Sequence, residues 1–93
     1  MIVEVWHAQS NPFVADATDH VHVANVEVAD GLETVPALEE AYRLTNHIDC
    51  PWWENEGVMK VIDGNARSTS VGDRIKMNGQ TWQVDMIDWK EVE

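Results

Sequence analysis

The sequence predicts a small α+β domain: a mostly antiparallel, strongly bent sheet of about five strands with one main helix packed across it. Three observations carry this. Asn78-Gly79 is the dipeptide best suited to a two-residue turn with positive φ at both central positions, and alternating segments flank it on both sides. The first 30 residues contain two valine-rich segments with a period of two. Between them and the hairpin lies a single stretch with helical spacing.

In the hairpin, Met77 should pair with Gln80, Ile75 with Trp82 and Asp73 with Val84. One face then carries Ile75, Met77, Trp82, Val84 and Met86, and the other carries Arg74, Lys76, Thr81, Gln83 and Asp85. Residues 1–8 form a strand with Ile2, Glu4 and Trp6 on one face and Val3, Val5 and His7 on the other. Apolar groups on both faces suit a central position. Residues 9–18 read as a loop. Residues 20–29 form a second strand whose alternation slips between Val23 and Val26, and a β-bulge near Ala24-Asn25 would restore the four valines to one face.

A helix is expected over residues 34–45, with Thr34 as N-cap and Pro36 in its first turn. Val35, Leu38, Ala41, Tyr42 and Thr45 share one face, and Asn46 closes the helix in left-handed geometry. In Asn46 to Gly57 the adjacent Trp52 and Trp53 cannot both point the same way, so one ring enters the core while the other covers a loop or lines a cleft. A short strand over residues 58–62 precedes a turn, and Ser70-Val71-Gly72-Asp73 delivers the chain into the hairpin.

Ninety-three residues make one small domain, in which folding buries only about 60 to 65% of the unfolded chain's surface. Five tryptophans offset this, since each buries on the order of 200 Å². Cys50 is the only cysteine, which excludes an intramolecular disulfide. No basic leader or long apolar run is present, so a cytoplasmic location is expected.

The net charge is −11, and its distribution is uneven. Residues 1–57 hold eleven acidic side chains and one basic one, Arg43, whereas residues 58–93 hold six acidic and five basic. Direct binding to nucleic acid is disfavoured, because neutralising phosphates requires Lys and Arg. One account of this charge is solubility; the other is a basic protein partner facing Glu27, Glu33, Glu39, Glu40, Asp49, Glu54 and Glu56.

His20-x-His22 with His47-x-x-Cys50 is the one metal-like set, but its spacing is looser and poorer in cysteine than structural zinc sites, so no metal and no cofactor is expected. No glycine-rich elbow or third orienting group accompanies Cys50, so no catalytic residue is assigned. Arg67, Ser68, Ser70 and Asp73 form a polar cluster ahead of the hairpin. These residues either cap the turn internally or, with Asn46, Trp52 and Trp53, line a pocket for a small ligand or nucleotide.

The helix end A-Y-R-L-T-N, then P-W-W-E-N-E-G-V, then R-S-T-S-V-G-D-R-I with N-G and the terminal tryptophan segment resembles small uncharacterised accessory proteins of tailed bacteriophages. The R-S-x-S-V-G-D plus hairpin part is similar to YodL-like modules of plasmids and phages. The resemblance covers about residues 41–89, with Asn46, Trp53, Arg67, Ser70 and Asp73 as matching positions. It implies origin and fold and carries over no catalytic residue. Together with the charge split, it leads to the expectation of a non-enzymatic protein of the host bacterial cytoplasm whose acidic half binds a basic, nucleic-acid-binding host protein. A small-ligand module is the alternative.

Overall fold

The structure is a computed structural model and describes residues 1–10, 18–46, 51–64, 66–86 and 88–92. Six strands, β1 (Ile2–Ser10), β2 (Thr18–Glu27), β3 (Val58–Lys60), β4 (Arg74–Met77), β5 (Gln80–Val84) and β6 (Trp89–Val92), form one sheet in the order β3-β2-β1-β4-β5-β6. All neighbouring pairs are antiparallel. Helix α1 (Thr34–Thr45) and a 3₁₀ turn (Trp52–Glu54) lie between β2 and β3 in the chain.

The α+β architecture matches the reading of the sequence, with one strand more than the five expected. The extra strand, β6, pairs Val84 with Trp89 and Thr81 with Val92. Its four residues are too short for periodicity to announce it. The β4–β5 hairpin has the expected register, Ile75 opposite Trp82 and Met77 opposite Gln80. Asn78 and Gly79 have φ of 53° and 78°, the left-handed conformations that such a turn requires. Met86 does not join the apolar face. It lies past the end of β5 and is 84% exposed.

Strand β1 is central, between β2 and β4. Its Val3, Val5 and His7 face the core, which Val26, Ala24 and Ile75 continue on the neighbouring strands. The bulge on β2 lies one residue earlier than expected. Ala24 and Asn25 are both paired, opposite Val5 and Glu4, and the register shifts between Val5 and Trp6 so that Val23 is the extra residue. Its carbonyl accepts the Val61 amide at 2.9 Å, and its side chain is buried beside that of Ala24. The valine pattern reports a parity change without saying which residue absorbs it.

Helix α1 has the bounds that its spacing predicts, but different caps. Glu33 is the N-cap, without a side-chain cap bond; its carbonyl accepts the Ala37 amide at 3.0 Å, and Thr34 is already helical. Asn46 sits at φ −125°, outside the left-handed region. Other groups satisfy the helix end: Asn55 Nδ2 donates to Leu44 O at 2.8 Å and Thr69 N to Thr45 O at 2.9 Å. Ala37, Leu38, Ala41 and Thr45 are buried against the sheet, while Val35, expected on that face, is exposed. Two alanines at the contact let the helix come close without displacing side chains.

Candidate functional site

The segment Arg67 to Asp73 lies between β3 and β4 and leads into β4, and three anchors hold it. Trp52 is buried in the core and donates its indole Nε1–H to Arg67 O at 2.8 Å. Thr69 takes part through both backbone groups, its amide donating to Thr45 O and its carbonyl accepting Asn46 Nδ2 at 2.6 Å. Ser70 to Asp73 is a tight turn closed by Asp73 N donating to Ser70 O at 3.0 Å, with Gly72 at φ 96°, where a Cβ would be strained.

The turn delivers Asp73 into the core with its side chain fully buried. Its carboxylate accepts Arg67 Nη1 and Nη2 at 2.6 and 2.7 Å, and the amides of Ala8 and Ser70 at 2.8 Å each. Burial alone would raise the carboxyl pKa; the guanidinium and the two amides outweigh it, and the group is held below its ordinary value. Arg67 also donates to Ala8 O and Ser68 O, and its guanidinium remains about half exposed.

His7 and Thr69 complete the cluster, and the sequence reading missed both. His7 Nε2 shares a 2.8 Å hydrogen bond with Thr69 Oγ1 and lies 3.9 Å from Asp73 Oδ2. Burial lowers the imidazole pKa, with Asp73 opposing and Arg67 assisting. A hydroxyl, an imidazole and a carboxylate in contact invite comparison with a nucleophile relay, but a relay needs the hydroxyl and the carboxylate on different ring nitrogens. Here both lie on Nε2, and Thr69 is fully buried, away from any substrate. What this arrangement does chemically is tie β1, β4 and the end of α1 together. The signal for His7 was its place on the Val3/Val5 face; its partner lies 62 residues away, beyond any local pattern.

Of the residues that the sequence singles out here, Asn46, Trp52, Arg67, Ser70 and Asp73 converge. Ser68 contributes its carbonyl to Arg67. Trp52 and Trp53 stand perpendicular, with Lys60 Nζ 4.3 Å from the Trp53 ring centre; Trp52 enters the core, as expected of one ring, and Trp53 packs at the rim of the core under Lys60 instead of covering a loop or lining a cleft.

His20 and His22 project from the sheet face opposite the helix, where His20 Nε2 lies 2.9 Å from Gly72 O and His22 stacks on Trp6. His47 and Cys50 lie outside the described residues. Among the described residues no group of three or more His, Cys, Asp and Glu side chains is placed to hold a metal ion.

The acidic residues divide by element. Glu33 at the N-cap and Glu39 on α1 are exposed, and Glu40 is half-buried and paired with Arg43 at 2.6 Å. Glu54 and Glu56 are exposed on the turn whose Asn55 is bonded to the end of α1. Glu27 is exposed opposite Ile2 at the end of β2, and Asp49 lies outside the described residues. By register, Arg74, Lys76 and Lys90 lie on the other side of the sheet, with Trp6, Thr81 and Gln83. There Lys76 Nζ sits 3.8 Å from the Trp6 ring centre, on a ring that also stacks on His22. Helix α1 and its adjoining turn are thus mainly acidic, while the open sheet face is mixed, with Glu4 and Glu27 on the same side as Arg74, Lys76 and Lys90.

No helix among the described residues is long and apolar enough to cross a membrane. The chain matches no family model, and no curated protein or solved structure is significantly similar to it.

Proposed function

We propose that this protein acts by binding, and that the acidic side presented by α1 and the turn after it docks on a basic surface of another protein. The observation that supports this reading is the run of exposed carboxylates on the helical side, Glu33, Glu39, Glu54 and Glu56, whereas the opposite sheet face mixes Glu4 and Glu27 with Arg74, Lys76 and Lys90. A concentration of one charge steers association and selects partners of opposite sign. The resemblance to phage accessory proteins adds the partner's setting, a basic host protein whose own ligand is nucleic acid. DNA carries one charge per about 1.7 Å of axis, so a concentrated acidic face competes with it for such a surface.

The test is capture of partners from a bacterial lysate at low and high salt, with wild type and a variant carrying Glu33→Gln, Glu39→Gln and Glu40→Gln. A basic partner held at low salt, released at high salt and lost in the variant supports the reading. Equal capture by both proteins, insensitive to salt, overturns it.

A further inference from the structure

Resting on that reading, we infer that the groove between α1 and the end of β5 receives a lysine or arginine side chain of the basic partner. The groove has a volume of about 280 Å³. Tyr42 from α1 and Trp89 from β6 stand perpendicular in it, at 88° with ring centres 6.2 Å apart. Val71 and Met86, two of the most exposed large apolar side chains, at 55% and 84%, flank these rings. Glu39, Asp85 and Asp88 supply three carboxylates, and no basic residue among the described residues lines the groove.

This combination selects a particular ligand chemistry. A plain acidic surface would attract any cation, and a plain apolar groove would favour an uncharged side chain. Aromatic faces, aliphatic walls and carboxylates together suit a cation on a long apolar stem, because the stem covers the walls while the head meets ring and carboxylate. The same pairing occurs within the chain where Lys76 lies over Trp6 and Lys60 over Trp53. At Trp89 the carboxylates are present but no cation is: among the described residues Glu39, Asp85 and Asp88 take part in no ion pair. Asp85 and Asp88 each accept a backbone amide, from Met86 and Trp89 at 2.8 Å, which orients the carboxylates without neutralising them.

The experiment is a titration of the ¹⁵N-labelled protein with three probes of equal charge: a tri-lysine peptide, the same peptide built from diaminopropionic acid, whose ammonium stem is short, and spermidine. The expected result is a shift of the Trp89 indole and Met86 amide signals with the lysine peptide, and weaker binding of the short-stemmed peptide and of spermidine. Met86→Ser and Asp88→Asn, both at exposed positions, should each weaken the lysine peptide about three- to fivefold, as expected for the loss of apolar cover on the stem and of a partly exposed ion pair.

Equal affinity of both peptides, with shifts on α1 but none at Trp89 or Met86, overturns the groove inference and leaves the acidic-surface reading standing. Spermidine binding as tightly at the same residues overturns the assignment to a protein side chain. No binding of any probe at low salt removes both the groove and the acidic-surface reading.

Discussion

Arg67 and Asp73 form a two-pronged ion pair, Nη1 to Oδ2 at 2.6 Å and Nη2 to Oδ1 at 2.7 Å, in which the carboxylate is wholly buried and the guanidinium half exposed. The asymmetry sets the order of mutational effects. Asp73→Asn replaces one acceptor oxygen with an NH₂ that must face an amide donor or the guanidinium, and should cost about 2–4 kcal/mol in urea unfolding. Arg67→Gln leaves the carboxylate its two amides and, because the lost group was half in water, should cost about 1–3 kcal/mol. A larger loss for Arg67→Gln than for Asp73→Asn would contradict this order.

Stability should fall in two steps as the solution is acidified. His7 has its folded pKa below the ordinary 6.5, so as pH drops through that value the unfolded chain takes up a proton that the folded one refuses. Asp73 has its folded pKa below the ordinary 3.8; its contribution is present above that value and is lost as pH falls on through the lowered pKa. Urea midpoints measured across the His range should decline in wild type and stay level in His7→Gln. A midpoint that rises as pH falls through the His range would contradict the sign.

At the hairpin tip, Gly79→Ala should destabilise by about 1–2 kcal/mol through backbone conformation alone. A Cβ there meets nothing within 4 Å, and φ is 78°. Asn78→Gly at φ 53° should be close to neutral. Thermal melts of the two variants check the contrast.

Ala41 is fully buried in the face of α1 that meets the sheet. Ala41→Leu should cost about 1–3 kcal/mol by overpacking, whereas Val35→Ala, on the exposed side, should change stability by less than about 0.5 kcal/mol. Denaturant unfolding of the pair tests whether the helix packs through its alanines.

Much of this fold is written locally. Asn78-Gly79 and the alternation around it give the Ile75–Trp82 register, and the spacing over residues 34–45 gives α1. What is not local escaped. The exact bulge residue depends on how β2 meets β1 and on the bond from Val61, and β6 becomes a strand only because β5 offers an edge. The Arg67–Asp73 cluster was visible as a polar turn, but His7 and Thr69 join it only after β1 and β4 are paired. The groove at Tyr42 and Trp89 left no trace, because one ring comes from the helix and the other from the unforeseen strand.

The most direct test of the acidic-surface reading is the salt dependence of affinity for the captured partner, compared between wild type and the Glu33→Gln, Glu39→Gln, Glu40→Gln variant. Affinity should fall steeply with salt in wild type and more shallowly in the variant, because fewer charges are then in play. Parallel slopes for the two proteins would contradict it and place the partner elsewhere on the surface.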